Sequence, residues 1–334
     1  MRIGLFGCGR IGRVHARTLS QTSEAKLVAV CDAFPAVAES LAREYHAEVR
    51  SSAEILSAQD IDAVIIGSPT DTHLPLITAA AKSGKAIFCE KPIENSFEKI
   101  QSAMQVVAEY NVPFMTGFNR RFDPNFQSVA ARVAAGDIGA VELVTILSRD
   151  PSPPPIAYIQ ASGGIFRDMM IHDLDMARFL LGEEPVSVYA VGSALVDPAI
   201  AEAGDIDTAV VTLTTQSGKM CQISNSRRAS YGYDQRIEVH GAKGMLRANN
   251  VHENSVEYAG VEGFTRAPLQ NFFLERYEAA YQREIKHFVH SVRTGEAVSP
   301  SLEDGLKAQI LAEAAMESFQ TGQAVTGLFE KPFH

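Results

Sequence analysis

A helix-like stretch in the middle of the chain, GGIFRDMMIHDLDMARFL (163–180), carries ionisable side chains at helical spacing. Asp168, His172 and Asp175 stand at i, i+4 and i+7, which places them on one helix face, away from an apolar stripe. An imidazole with an ordinary pKa of about 6.5 can act as a general base near neutral pH, and a carboxylate one turn away can orient it. The same spacing is equally typical of an ordinary solvated helix face.

A second pattern with chemical meaning is the glycine-rich string GCGRIG near the amino terminus. It follows a strand-like run directly and opens a helix-like run, which is the context that a dinucleotide-binding turn requires. Gly7 permits the tight turn, Gly9 lets the backbone approach a pyrophosphate, and Gly12 lets helix and strand pack closely. Amide groups at the helix start would then meet the phosphates. The cofactor-binding residues predicted here are Gly7, Gly9, Arg10, Ile11 and Gly12.

The next strand-like run ends in Asp32, twenty residues after Gly12. A carboxylate at this position can accept hydrogen bonds from the adenosine ribose hydroxyls, and it repels a 2′-phosphate. The pattern therefore predicts NAD, rather than NADP, as the cofactor.

Two later stretches fall where the strands of a doubly wound sheet present residues to a ligand. IIGSPTDTH (65–73) and IFCEKP (87–92) both end strand-like runs. Pro92 biases Lys91 toward an extended conformation, and a lysine held beside a dinucleotide can stabilise the alkoxide of a substrate hydroxyl. His73 is equally compatible with an exposed position on the next helix. The cofactor-binding residues predicted here are Ser68, Pro69, Thr70, His73, Glu90 and Lys91.

The elements that must position these residues fall into two groups. The first 116 residues alternate apolar strand-like runs with helix-like segments, which predicts a parallel sheet covered on both faces. Beyond about residue 120, strand-like runs from 186 to 258 follow one another without helices, which predicts an antiparallel sheet. We expect an α/β N-terminal Rossmann domain with a doubly wound parallel sheet over 1–120. An α+β C-terminal domain with a large, mainly antiparallel open sheet should follow over 121–334.

Composition narrows the classes of function. The 334 residues exceed what one hydrophobic core usually holds, and the net charge of −10 without a basic run argues against nucleic acid and anionic membranes as partners. No signal-peptide pattern or membrane-spanning apolar run is evident, and the four cysteines form no Cys-x-x-Cys pair. We expect a reduced, cytoplasmic protein without a disulfide framework or a metal, acting on a neutral small molecule.

Over essentially its whole length, the chain resembles the glucose-fructose oxidoreductase, inositol dehydrogenase and rhizopine-catabolism (Gfo/Idh/MocA) family of NAD(P)-dependent oxidoreductases. The resemblance rests on GCGRIG, Asp32, Glu90-Lys91-Pro92, GFNRRFD (117–123) and the Asp168–His172 helix. Longer strings, such as SRDPSPPP and SNSRRASYGYDQRIEVHG, are most similar to the bacterial inositol 2-dehydrogenases within it. One departure is GSPT at 67–70, where the family commonly has a Cys-Thr-Pro-Thr type of loop, and it bears on Ser68 only.

The resemblance implies that Lys91, Asp168 and His172 form a catalytic triad. It also implies a set of residues near the substrate hydroxyls: Arg121, Asp150, Asp175 and Tyr231. The implied reaction of inositol catabolism is the oxidation of myo-inositol to 2-keto-myo-inositol (scyllo-inosose), with His172 as general base and hydride transfer to NAD. The resemblance further implies a homo-oligomer, a tetramer or dimer, formed through the C-terminal sheet.

Three alternatives stay open at this point. The enzyme could act on another inositol isomer or on a sugar such as glucose, because epimers differ by one hydroxyl. A non-catalytic NAD- and sugar-binding regulator is an alternative of a different class, although the intact set of Lys91, Asp168 and His172 argues against it. An NAD-dependent glycoside hydrolase is the third. Arg120, Arg227 and Arg228 receive no assigned role, since arginines in such positions are often salt-bridging surface residues.

Overall fold

The computed structural model describes residues 1–329, which form two compact units. The first unit comprises Met1–Phe122 and Ala279–Gln309, and the second comprises Asp123–Glu278 and residues 310–329. The sequence patterns predict a single second domain over 121–334. The segment 279–309 lies instead with the first unit because its aromatic side chains pack there: the ring centroids of Phe288 and Phe88 are 5.8 Å apart.

The first unit contains a six-stranded sheet in the order β3-β2-β1-β4-β5-β6, with every pair parallel. Its strands are β1 (Arg2–Phe6), β2 (Lys26–Cys31), β3 (Glu48–Val49), β4 (Ala63–Ile66), β5 (Ala86–Glu90) and β6 (Phe114–Gly117). The apolar runs of β1, β4 and β5 are buried almost completely, as expected for strands covered on both faces. The predicted doubly wound sheet is confirmed, and its order reverses between β1 and β4, where such folds bind ligands.

The second unit contains a seven-stranded sheet in the order β12-β11-β7-β10-β9-β8-β15, and a separate hairpin joins β13 to β14. The strands are β7 (Val141–Arg149), β8 (Pro185–Ser193), β9 (Thr208–Thr215), β10 (Met220–Ser226), β11 (Asp234–Gly241), β12 (Gly244–Ala248), β13 (Glu257–Gly260), β14 (Gly263–Arg266) and β15 (Val325–Thr326). All neighbours are antiparallel except β7 and β10, which run parallel. The predicted mainly antiparallel sheet is therefore confirmed.

Helices cover the first sheet and support the second. They are α1 (Arg10–Ser20), α2 (Pro35–Tyr45), α3 (Ser52–Ser57), α4 (His73–Lys82), α5 (Phe97–Tyr110), α6 (Pro124–Ala134), α7 (Ile156–Ser162), α8 (Ile171–Leu181), α9 (Pro198–Glu202), α10 (Phe273–Arg276), α11 (Glu278–Thr294) and α12 (Leu302–Thr321). Short 3₁₀ turns cover Thr70–Thr72 and Asn119–Phe122. Within residues 1–329, the helices are too short or too polar to cross a membrane.

The helix-like stretch at 163–180 contains two helical segments of different type. Phe166–Met170 is π-helical, and α8 follows it directly. In α8 almost every side chain is buried on the protein interior, with Asp175 only 1% exposed. The interpretation of this stretch as a solvated surface helix is therefore wrong.

Candidate active site

The glycine-rich turn after β1 has the geometry that a dinucleotide needs. Gly7 adopts a φ of 89°, and a Cβ placed on Gly12 would lie 2.0 Å from the carbonyl oxygen of Gly7. A Cβ on Gly9, at the start of α1, would instead meet no atom within 4 Å. The turn is thus closely packed below and open above Gly9, which fits a pyrophosphate approaching the backbone and the start of α1, where Arg10 and Ile11 lie.

Asp32 stands beside this turn, immediately after β2. Its carboxylate accepts hydrogen bonds from the backbone amides of Cys8 (2.7 Å) and Phe34 (2.9 Å). Burial, together with the nearby Asp32, raises the pKa of the Cys8 thiol to about 12. The carboxylate of Asp32 is thereby fixed at the predicted ribose side of the turn, and the neighbouring thiol stays neutral at physiological pH.

The loop after β4 places Ser68, Pro69 and Thr70 at the same edge of the sheet. The hydroxyls of Ser68 and Thr72 are 2.6 Å apart, and Pro69 precedes the 3₁₀ turn. His73 is buried, and its two ring nitrogens lie 2.9 Å from the Ser68 carbonyl oxygen and 3.0 Å from that of Pro92. It is therefore neither an exposed helix residue nor an open ligand group, because its imidazole links the loop after β4 to the turn after β5.

Glu90, the last residue of β5, and Lys91, which follows it, differ in burial. Glu90 is buried, and its carboxylate lies 2.7 Å from Nε2 of the fully buried His15. The cofactor-contact role predicted for the Glu90 side chain does not match this inward orientation, since the carboxylate supports the strand end from below. Lys91 is the next residue and is only partly buried.

A buried carboxyl group completes the interior around Glu90. Glu284 of α11 is fully buried, and burial, with a further contribution from Glu90, raises its pKa well above the ordinary value. Neither of its carboxyl oxygens has a hydrogen-bond partner in the described part of the chain. Burial and the nearby Glu90 therefore both favour the neutral form of the Glu284 carboxyl.

Arg121 lies in the 3₁₀ turn after β6, and it is buried against an acidic partner. Its guanidinium donates to Asp304 of α12 at 2.9 Å, with 9% of its side chain exposed. The ion pair gives Arg121 an anchoring role within the first unit, whereas the family resemblance implies a place near the substrate hydroxyls.

In the second unit, Asp168 and His172 are brought to consecutive turns, one in the π-helical segment and one in α8. Asp168 accepts a hydrogen bond from the hydroxyl of Tyr158 at 2.8 Å, and Nη1 of Arg227 lies 3.5 Å from its other oxygen. His172 is partly exposed on a helix that is otherwise largely buried. π-Helical turns are rare and occur frequently at functional sites.

Two further acids on α8 serve the helix itself. Asp173 is fully buried and accepts hydrogen bonds from Ser148 of β7 (2.6 Å) and Asn225 of β10 (3.0 Å). Asp175, predicted to face the substrate, is also buried, with the guanidinium of Arg178 at 3.6 Å. The contacts of Asp173 fasten α8, and His172 with it, to β7 and β10 of the sheet, whereas the ion pair of Asp175 lies within the helix.

Asp150 and Tyr231 lie near the ends of strands in the same sheet. The amide of Asp150 donates to the Ser226 carbonyl at 3.0 Å, which continues the parallel pairing of β7 and β10, and its side chain is partly exposed. The hydroxyl of Tyr231 donates to Asp234 and accepts from Arg149 at 2.9 Å. Burial and the hydrogen bond to Asp234 raise the pKa of Tyr231, while its ring stays half exposed.

Sequence reasoning missed His15, Tyr158, Asp173 and Asp205, and it left Arg227 without a role. Each of them contacts a predicted site residue, binds the backbone just before the π-helical segment, or fastens α8 to the sheet. The sequence offered one usable signal, because acidic residues such as Asp173 inside an apolar helix need buried partners.

Comparisons with known proteins identify the family of the chain. The family profile described as an oxidoreductase family with an NAD-binding Rossmann fold matches residues 1–118, and the GFO/IDH/MocA C-terminal domain matches 126–247. An inositol 2-dehydrogenase of Rhizobium meliloti (strain 1021) is 56% identical over 95% of this chain and 96% of its own.

Two solved structures share the whole fold. A myo-inositol dehydrogenase from Corynebacterium glutamicum ATCC 13032 superposes with a TM-score of 0.94 at 46% identity, covering 98% of each chain. A scyllo-inositol dehydrogenase from Lactobacillus casei, solved with bound NAD(H) and scyllo-inositol, gives 0.90 at 34% identity, again covering 98% of each chain. The chain therefore belongs to the Gfo/Idh/MocA family of oxidoreductases, with an NAD-binding Rossmann domain.

Proposed function

We propose that the protein oxidises myo-inositol to 2-keto-myo-inositol with NAD as hydride acceptor. The observation that carries the proposal is the placement of a partly exposed imidazole, His172, four residues after a carboxylate, Asp168, that Tyr158 and Arg227 hold in place. The names of the relatives, which act on inositols, support the choice of substrate class.

In the proposed mechanism His172 accepts the proton of the hydroxyl that is oxidised. Asp168 stabilises the resulting imidazolium, and Lys91 stabilises the alkoxide. NAD, held by Gly7, Gly9, Gly12 and Asp32, supplies the acceptor for the hydride.

Recognition of an uncharged polyol requires several hydrogen-bonding groups. We propose that Asp150 contacts a substrate hydroxyl directly, because it is partly exposed at a strand end. Arg121 and Asp175, which are buried beside Asp304 and Arg178, act by fixing the surroundings of the site. Tyr231 offers its half-exposed ring edge and its hydroxyl. A wrong epimer would leave some of these groups unpaired.

The test is NADH formation, followed by absorbance, with NAD and a panel of myo-inositol, scyllo-inositol, D-chiro-inositol and glucose. We expect the highest kcat/KM with myo-inositol. A preference for scyllo-inositol would replace the first choice by the activity named for the Lactobacillus casei structure. Turnover of none of the inositols would end the proposal.

The base assignment is tested by His172→Ala. General-base catalysis contributes about 10²–10⁴-fold, so we expect kcat to fall by that factor while the Kd for NAD stays the same. His290→Ala, which removes an exposed histidine of α11, is the control and should keep full activity. Unchanged turnover in the His172→Ala variant would favour a non-catalytic regulator.

We also propose a homotetramer formed through the open sheet, in the cytoplasm, where the four free cysteines stay reduced. The exposed apolar side chains on strands of this sheet support a second copy as the partner: Leu143, Tyr189, Val191, Met220 and Met245. Light scattering of the wild type should give four subunits, and Tyr189→Asp with Val191→Asp should reduce the mass. A monomeric wild type would contradict this assembly.

A further inference from the structure

Arg227 lies at the centre of a charged cluster in the interior of the second unit. Its side chain is 1% exposed, and its two terminal nitrogens lie 3.5 Å from Asp168 and 3.5 Å from Asp205. The backbone amide of Arg227 donates to the Asp207 carbonyl at 2.8 Å, which fixes the residue just after β10. One buried guanidinium is thus shared between two carboxylates.

The second of these carboxylates also binds the backbone just before the π-helical segment. Asp205 accepts a hydrogen bond from the amide of Ile165 at 3.1 Å, one residue before that segment. Gly164 adopts a φ of 87°, and a Cβ there would lie 2.9 Å from the same Asp205 oxygen. The close approach of the chain to Asp205 therefore depends on this glycine.

The carboxylate of Asp168 is consequently held from two sides. Tyr158 of α7 donates to one oxygen, and Arg227 faces the other. A carboxylate near an imidazole favours the protonated ring, and a guanidinium beside that carboxylate offsets part of the effect. The extent to which the Arg227 guanidinium offsets the charge of Asp168 depends on how strongly the Asp205 carboxylate attracts the same guanidinium.

We propose that Arg227 is a positioning residue, shared between Asp168 and Asp205, that orients Asp168 and sets the proton affinity of His172. The inference rests on the proposed function in one respect, since it takes His172 as the base. The carboxylate of Asp205 also attracts the Arg227 guanidinium, which keeps Arg227 from neutralising the charge of Asp168 fully.

Two variants should move the titration of His172 in opposite directions. In Asp205→Asn the amide oxygen can still accept from Ile165, while Arg227 is left to Asp168 alone, so the pKa of His172 should fall. Adding Arg227→Met to Asp205→Asn leaves the Asp168 carboxylate without a guanidinium beside it. The pKa of His172 should therefore rise above its value in the single variant Asp205→Asn. We expect each change in the pKa of His172 to be about 0.5–1 unit.

The measurement is an NMR titration of the imidazole resonances in the full chain, which contains nine histidines, with His172→Gln assigning the resonance of interest. A fall in Asp205→Asn and a rise on adding Arg227→Met support the proposal. Equal values, within about 0.2 unit, in wild type and Asp205→Asn overturn it. If the double variant does not fold, the near-isosteric Asp205→Asn decides alone.

A matched control removes a different buried guanidinium. Arg276 pairs with Asp123 in the same unit, and both side chains are nearly inaccessible. Arg276→Met should lower stability and leave the His172 titration unmoved, which separates electrostatic positioning from general loss of packing. A shift of the same size in Arg276→Met would count against the proposal.

The titration needs no substrate, so its outcome is independent of the proposed activity. If inositols are turned over, the acid limb of the kcat/KM profile should shift in the same direction as the resonance. If they are not, the proposed function fails while the titration still decides the role of Arg227.

Discussion

Asp32 does two things with one side chain. It binds the amides of Cys8 and Phe34, and it places a negative charge where a ribose is expected. The first role orders the turn, and the second distinguishes cofactors, because a 2′-phosphate would meet the carboxylate. The two amides bind different carboxylate oxygens, so an asparagine removes the charge fully but keeps an acceptor oxygen for only one of them.

For Asp32→Asn we expect the ratio of kcat/KM for NAD to that for NADP to fall about tenfold, equivalent to about 1.4 kcal/mol, because the repulsion of the 2′-phosphate is removed. Initial rates with both cofactors measure this ratio. Asp62→Asn, which removes an exposed partner of Arg2, is the control and should leave it unchanged. An unaltered ratio in Asp32→Asn would show that another group selects the cofactor.

Which residues could be predicted at this scale depends on how local their partners are. The roles of Gly7, Gly9 and Gly12 follow from a six-residue turn, so their spacing predicts them. Glu90 and Arg121 bind His15 and Asp304, which lie 75 and 183 positions away, and only the folded chain brings them together. The roles of Lys91, Asp168 and His172 in catalysis stay predictions.

At the scale of elements, the turn between β1 and α1 combines close packing with an open surface. A Cβ on Gly12 meets the Gly7 carbonyl at 2.0 Å, whereas one on Gly9 meets nothing within 4 Å. One glycine therefore serves the protein fold, and the other leaves space for the ligand.

The two alanine variants should separate these effects. Gly12→Ala should lower the free energy of unfolding by about 1–3 kcal/mol, because the backbone must move, even though alanine is the better helix former. Gly9→Ala should leave stability within about 0.5 kcal/mol of wild type and weaken NAD binding about tenfold. Urea unfolding and calorimetric titration with NAD provide the readouts. Equal losses of stability in both variants would contradict the distinction.

Other elements show where sequence patterns stop being informative. The nine-residue strand β7 is not among the predicted strand-like runs, although Val141–Arg149 is rich in β-branched and apolar residues and lies inside the sheet between β11 and β10. The π-helical segment was predicted as α-helix, because the apolar spacing does not distinguish the two. The residue before its start is bound by Asp205, a contact over 40 positions that local spacing cannot predict.

For the whole molecule, the pH dependence of stability depends on the buried carboxyl group of Glu284, whose charged form is disfavoured by burial. Glu284 contributes no ion pair among the described residues, and burial, with Glu90 nearby, raises its pKa. A carboxyl whose pKa is higher folded than unfolded stabilises the fold only while it is protonated. Its effect is fully favourable below the unfolded pKa of about 4.3, and stability is lost as the pH rises toward the folded value.

Glu284→Gln should therefore stabilise the protein at pH 8 and change little at pH 4.5. An increase of about 2–4 °C in Tm at the higher pH is expected, since the amide never ionises. Differential scanning calorimetry at the two pH values gives the comparison, with Glu296→Gln as the exposed control. A Tm gain of equal size at both pH values would show that packing, not ionisation, is responsible.

The return of residues 279–309 to the first unit affects how the protein is made. Phe88 and His15 contact Phe288 and Tyr281, which leave the ribosome long after β1 to β6 have emerged. During synthesis, the apolar surface of the nascent cofactor domain that residues 279–309 cover therefore stays exposed until the last fifth of the chain has been made. A recombinant fragment that ends at residue 122 would expose that apolar surface permanently, and we expect it to aggregate.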